Sequence, residues 1–406
     1  MTSQTNSNVD LHASPRPLLP RPRSISIRGT VHVQREKRKD AQPRICRGVE
    51  SAPAVVSKAE FSNFGPIWNV NIQKLKDSST IFPIERTHAV LNGISASVVA
   101  DRVVACLEEN SIYATFNNDK AMAVAETDNH TTFEIWMYRH RNNDQNGNLP
   151  SLLLEVQRKS GCSISFHWVA RAILKAAKGI SVAAAVPRPS ISSFIPPPSK
   201  KAKIAQENDV FESIENVHSL LEKDRFDANI LGMQTLRSLT SLQSTTAETA
   251  ATVSKLILVG NEEMSAIGDK VKSIVQNGCN NDDYECDMER HYGRIMYSHA
   301  LGVIANSLDI ISTIEDFNSL ESDKWFIEDL LSLLLTEIQC IQRPHDACEA
   351  ARCLNVLVGA STKFRVKAVN SGALPTVLDM VKNGTYKHQR LQKELEKSSA
   401  ALIMAA

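Results

Sequence analysis

The chain has 406 residues, with 46 Lys and Arg against 45 Asp and Glu, a net charge of +1. At about 100–200 residues per domain it should hold two or three folded units, and 42% hydrophobic residues suffice for their cores. No run of about 18 apolar residues occurs, so no membrane-spanning helix is expected.

The segment Met1 to Pro22 has no apolar stretch, which argues against a secretory signal. Pro15, Pro17, Pro20 and Pro22 would break the amphipathic helix of a transit peptide. Eight cysteines at wide spacings suit a reducing compartment better than a disulfide framework. The expected location is therefore cytoplasmic, nuclear or both.

The near-neutral total conceals an uneven charge map. Residues 1–59 carry 11 basic and 4 acidic side chains, net +7, and read as a disordered basic tail rich in Pro, Arg and Ser. Residues 60–81 form an extended lead-in. Residues 60–180 balance at 12 and 12. Residues 180–206 read as a linker, because Pro187, Pro189 and Pro196-Pro197-Pro198 favour extended chain. Within it, Lys200, Lys201 and Lys203 have the Lys-Lys-x-Lys form of a nuclear localisation signal. Residues 207–406 carry 19 basic and 29 acidic side chains, net −10. Such asymmetry lets the basic tail or linker fold back on the acidic half, with Ser24 and Ser26 beside Arg21 and Arg23 as phosphorylation sites that would weaken the contact.

Between Phe82 and Gly179 the periodicity predicts β-α-β-β-β-β-α. Pro83 to Leu91 reads as a strand, and Asn92-Gly93 as a turn. Ser95 or Ser97 can cap a helix whose buried face is Val99, Val103, Cys106 and Leu107. Ile112 to Phe116 and Ala121 to Thr127 read as a hairpin across Asn117-Asn118-Asp119-Lys120. Thr132 to Arg139 alternates Phe133, Ile135 and Met137 against Trp136 and Tyr138. Beyond a polar loop at Asn142 to Asn148, Leu152, Leu154 and Val156 share a strand face. The helix from Ser163 to Lys178 turns Phe166, Val169, Ala170, Ile173 and Ala177 inward. The expected unit is an antiparallel sheet with two helices on one face.

The run from Leu154 through Gln157-Arg158-Lys159-Ser160-Gly161 into Phe166-His167-Trp168-Val169-Ala170-Arg171 resembles the kinase-associated C-terminal domain, over about residues 82–179. No kinase domain accompanies it, so regulation of an adjacent kinase does not carry over. The resemblance implies docking on a neighbouring domain or on anionic phospholipid. Arg171, Lys175 and Lys178 fall on one helix stripe, with Arg158 and Lys159 ending the preceding strand; these five are candidates for contact with an anionic surface.

After Asp209 only helical patterns remain. They cover Phe211–Leu221, Asp227–Leu242, Ala247–Val259, Met264–Val275, Arg290–Ile311, Lys324–Ile341, Asp346–Val358 and a last segment. Ala350 to Gly359, followed by Phe364 to Leu378 with its Gly372-Ala373-Leu374-Pro375 step, is similar to the armadillo repeat. Gly372 permits the turn between two short helices, and Pro375 fits a helix's first turn. Ala300 to Asn306 and Met233 to Leu242 match the third-helix pattern alone, which suggests about four degenerate repeats in a helical solenoid.

In armadillo proteins that carry nuclear cargo, Trp and Asn on successive third helices clamp an extended basic peptide. Here Asn306 takes the Asn position but Gly302 stands where the Trp would be; Val356 stands at the next Asn position, and Arg352 lies near the next Trp. Import-receptor function is therefore not expected, although an acidic solenoid could still attract a basic peptide. Asn306, Arg352 and Asn355 are the candidate groove residues.

No Gly-rich phosphate loop, Gly-x-Ser-x-Gly elbow or His-Glu-x-x-His is present. Cys340, His345, Cys348 and Cys353 are spaced wrongly for a tetrahedral zinc site and read as structural side chains. The loop between Cys279 and Cys286 lacks the Gly and terminal Glu of a calcium loop. Trp136, Trp168 and Trp325 read as core or interface aromatics. The expectation is a non-catalytic adaptor or scaffold with a protein or peptide partner, basic in character. The alternative is a peripheral membrane protein. No cofactor, metal, nucleic acid or small-molecule substrate is expected.

Overall fold

The computed structural model describes residues 67–78, 86–140, 151–180, 203–260, 265–278, 287–314, 317–382 and 388–404. The basic tail, most of the linker with Lys200 and Lys201, the Asn142–Asn148 loop, and Cys279 and Cys286 lie outside the described residues. Phe61–Ala406 group as one compact unit.

The first part follows the sequence pattern closely. Strand β1 (His88–Leu91) leads to helix α1 (Ala96–Glu109), then β2 (Tyr113–Asn117), β3 (Met122–Glu126), β4 (Thr132–Arg139), β5 (Leu152–Ser160) and α2 (Ser163–Ala177). The strands form one sheet in the order β1-β5-β4-β3-β2, every neighbouring pair antiparallel. Consecutive hairpins account for β2 through β5, and β1 pairs with β5 at the far edge.

Ser95 caps α1 by accepting from the Val98 amide, and Gly93 before it sits at φ +70°. Phe133, Ile135 and Met137 are fully buried beneath α1 and α2, each worth about 1.5–3 kcal/mol of transfer free energy. Trp136 and Tyr138 stack on the opposite face, their rings 6.0 Å apart. The lead-in adds to this core: Trp68, Val70 and Leu75 are buried, and Trp68 stacks on Phe116 at 5.8 Å. A lone tryptophan without periodic neighbours does not announce such packing in the sequence.

The second part is helical: α3 (Lys203–Leu221), α4 (Phe226–Leu239), α5 (Ala247–Leu258), α6 (Ser265–Asn277), α7 (Asp287–Ile314) and α8 (Asn318–Ser322). A π-helical turn (Trp325–Leu330) follows, then α9 (Leu331–Ile338), α10 (Pro344–Ala360), α11 (Thr362–Asn370), α12 (Ala373–Lys382) and α13 (Gln389–Ile403).

Several boundaries differ from expectation. Helix α3 begins at Lys203, inside the stretch read as linker, because nothing after Pro198 breaks a helix and Lys, Ala, Gln and Glu propagate one readily. The helix expected at Lys324–Ile341 opens with the π turn, continues without a break into α9 and ends at Ile338. That wider turn sets both Trp325 and Phe326 toward Lys272, whose Nζ lies 5.4 and 5.1 Å from their ring centres while it pairs with Asp323 at 3.0 Å. Gly372 sits at φ +79°, but an added Cβ would meet nothing within 4 Å, so the turn and not close approach calls for glycine.

Helix α7 packs on α4 and on α10, and α10 packs on α13, so these four long helices follow one another side by side. Between them α5 and α6 pack on α7, α9 on α10, and α12 on α13. One continuous apolar core runs from Val210 to Leu402. Among the described residues, no helix is long and apolar enough to cross a membrane.

Candidate interaction site

The side-by-side helices bring two of the three candidate groove residues into contact. Arg352 on α10 donates from Nη2 to Asn306 Oδ1 at 2.8 Å, and from Nε to Asp309 Oδ2 at 2.7 Å, both on α7. Its Nη1 donates to Glu349 at 2.9 Å, and Glu349 also accepts from Arg237 on α4 at 2.8 Å. Asn306 closes the circuit by donating to the Arg237 carbonyl at 3.3 Å. Burial works against the Arg352 charge, but Glu349 and Asp309 outweigh it and raise its pKa further.

Asn355 is placed apart from this circuit. One turn further along α10, it donates to Glu394 on α13 at 3.2 Å, and Glu394 also accepts from Lys397 at 2.7 Å. A polar ladder therefore crosses α4, α7, α10 and α13, with Asp309 its most open carboxylate at 40% exposure.

Gly302 fits the same network. A Cβ there would lie 2.6 Å from Arg237 Nε, so the absence of a side chain lets the guanidinium lie across α7. At the position where the armadillo resemblance places a tryptophan, this chain holds the arginine of a neighbouring helix.

A second cluster joins the sheet to the helices, and local sequence does not mark it. The end of β3 and the turn after it present Glu126, Asp128 and His130 toward the N-terminal half of α7 and the N-terminal ends of α10 and α13. Arg294 on α7 donates to Glu126 at 3.0 Å, and Arg390 on α13 donates to Asp128 at 2.8 Å and, from its amide, to Ser111 Oγ at 3.2 Å. His130 Nδ1 lies 2.9 Å from Glu126, and its ring meets His299 edge-on at 5.4 Å. Burial opposes ionisation of Glu126, but His130, Arg294 and His345 together hold its carboxyl down to about 2.

His345, in the first turn of α10, places Nε2 3.0 Å from the Glu126 carbonyl, and His388 Nε2 lies 3.1 Å from His345 Nδ1. His388 is the N-cap of α13, its Nδ1 accepting from the Leu391 amide at 3.1 Å. Both ring nitrogens of His345 are thus engaged. Cys353 is fully buried and Cys348 is pushed up to about 12 by burial. Among the described residues no group of three or more His, Cys, Asp or Glu could hold a metal ion.

The basic candidates on the sheet unit divide. Arg171, Lys175 and Lys178 are exposed along α2. Arg158 donates to the Gly161 carbonyl at 2.8 Å, and Lys159 pairs with Glu134 at 2.9 Å, so these two are tied to their own strand region. Lys203 is the first residue of α3. No family model, curated protein or solved structure matches the chain.

Proposed function

We propose that the chain is a non-catalytic interaction scaffold, an armadillo-like helical stack with a small sheet unit docked at the N-terminal ends of its long helices. The observation that carries this reading is the succession of α4, α7, α10 and α13, each packed on the next, with shorter helices filling behind them. That is the order expected when a three-helix unit repeats and every third helix contributes to one face. Asp309, Glu349 and Glu394 line this face in a segment of net charge −10 (residues 207–406), which favours a basic extended peptide.

The test is titration of the full chain with a fluorescent ten-residue peptide of alternating Arg and Ala. Affinity should fall steeply with salt and weaken about tenfold in an Asp309→Asn, Glu394→Gln variant. No binding at low salt, or equal binding by that variant, rejects the reading. A scaffold working in the nucleus would use Lys200, Lys201 and Lys203 for entry. Replacing Lys200 and Lys201 with Ala should then lower the nuclear signal of a fluorescent fusion.

A second reading, peripheral attachment to an anionic membrane, is favoured by the exposed stripe of Arg171, Lys175 and Lys178. Sedimentation with vesicles containing phosphatidylserine, compared with phosphatidylcholine alone, separates the two readings.

A further inference from the structure

The hydrogen bonds at the junction have a fixed direction. The Glu126 carbonyl can only accept, so His345 carries its proton on Nε2. The other end fixes the rest. The Leu391 amide can only donate, so His388 Nδ1 is an acceptor. His388 can then donate only from Nε2, so His345 Nδ1 is an acceptor and that ring is neutral. The chain from Leu391 through His388 and His345 to Glu126 closes only when both imidazoles are neutral. An added proton on His345 Nδ1 would point at the proton of His388. An added proton on His388 Nδ1 would point at the Leu391 N–H and uncap α13.

We infer that this relay is a proton-sensitive latch, which holds the sheet unit against α7 and the N-terminal ends of α10 and α13 when neutral and releases it when either imidazole is charged. The inference does not depend on the scaffold reading. Both rings also sit at helix N-termini, where the helix dipole disfavours a cation. Their surroundings agree: burial, then the neighbouring His345 and Arg390, lower His388 to about 3, and burial lowers His345.

The facing charges do not all act alike. Glu126 on β3, Asp128 on the following turn and Asp346 on α10 itself attract a proton to His345, whereas Arg390 on α13 repels one from His388. Asp346 is raised by burial and so favours the docked state in its protonated form, opposing release in acid. Glu126 is also partnered by Arg294 on α7 and by His130, and its own protonation would add to release only below about 4.5. His299 on α7, lowered to about 3 by burial, Arg237 and His130, acts in the same direction as the relay.

Once undocked, each imidazole returns to its ordinary range near 6.5. Below that pH the ratio of docked to undocked chain falls by up to about tenfold per pH unit for each of the two rings.

The experiment uses the full chain with ¹⁵N-labelled histidine. At pH 7.5 both rings should give the shifts of the neutral Nε2–H tautomer; a charged or Nδ1–H ring at either position overturns the inference. Hydrogen exchange at pH 7.5 and 5.5, corrected for intrinsic rates, should show protection at residues 388–392 and 127–131 falling about tenfold to a hundredfold. Strands β4 and β5 and the C-terminal half of α7 should keep theirs. A His345→Gln, His388→Asn chain, which retains the Nε2-like donor and the cap acceptor, should lose most of this pH response and keep at most the part due to His299. Unchanged protection at pH 5.5, loss spread over every helix, or the same loss in that variant each overturns the latch.

Discussion

Arg294 on α7 donates to Glu126 at the end of β3 over 3.0 Å, joining residues 168 positions apart and tying the sheet to the helices. Glu126 is the hub of the junction, because its carboxylate takes Arg294 and His130 while its carbonyl takes His345.

Replacing Glu126 with Gln should cost about 1–3 kcal/mol at pH 7, as expected for loss of hydrogen bonds to a charged group. The unfolded carboxyl titrates near 4.5 and the folded one near 2, so its contribution is complete above 4.5 and is lost as pH falls toward 2. The gap between the urea midpoints of the two chains should be markedly smaller at pH 3 than at pH 7. A gap of constant size would contradict the assignment of Glu126 as the ionised hub.

Gly161 follows β5 at φ +87°, and a Cβ there would lie 2.5 Å from Thr131 Cα and 2.8 Å from the His130 carbonyl oxygen. Both neighbours are backbone and cannot step aside cheaply. Gly161→Ala should destabilise by about 1–3 kcal/mol from strain of the kind stored at constrained backbone positions. Gly260, at φ +82° with open space around it, provides the comparison. Its Ala variant should lose only the smaller cost of the left-handed conformation, about 1–2 kcal/mol. Chemical denaturation of the two variants reads the difference directly.

Arg352 engages Asn306, Asp309 and Glu349 with three separate nitrogens. A lysine keeps the charge but cannot hold three acceptors in a planar fork. Arg352→Lys should therefore cost about 1–3 kcal/mol in thermal denaturation. A double-mutant cycle with Asp309→Asn should give a coupling of at least about 0.5 kcal/mol. A loss equal to that of an exposed arginine such as Arg171 would mean that the ladder contributes nothing to holding α7 on α10.

Gly302 lies inside α7, where alanine would ordinarily gain about 1 kcal/mol over glycine. Here the new Cβ meets Arg237 Nε at 2.6 Å and would displace it from Glu349. Gly302→Ala should thus be close to neutral in the native chain and stabilising by up to about 1 kcal/mol when Arg237 is already Ala. Urea midpoints of the four chains test this, and equal effects in both backgrounds would show that Arg237 is not what glycine accommodates.

The sequence by itself determined the order of strands and helices in the sheet unit, although β1 starts later than expected and the packing of Trp68, Val70 and Leu75 was not legible. Period-two burial at Phe133, Ile135 and Met137, the hairpin turn at Asn117–Lys120 and the Ser95 cap are local signals, because each depends on neighbours within a few positions. The same holds for the sites of most helices. What local pattern does not carry is an arrangement set by side chains far apart in the chain. Arg352 meets Asn306 across 46 positions, and His345 meets the Glu126 carbonyl across 219. The junction histidines fall at a turn, inside α7, in the first turn of α10 and at the cap of α13, so no spacing relates them. Tertiary packing alone decides the tautomers inferred for His345 and His388, since a ring's donor and acceptor sides follow from the groups it faces. The sequence supplied the imidazoles; the fold placed a carbonyl at one end of the relay and an amide at the other, which leaves no position for a second proton.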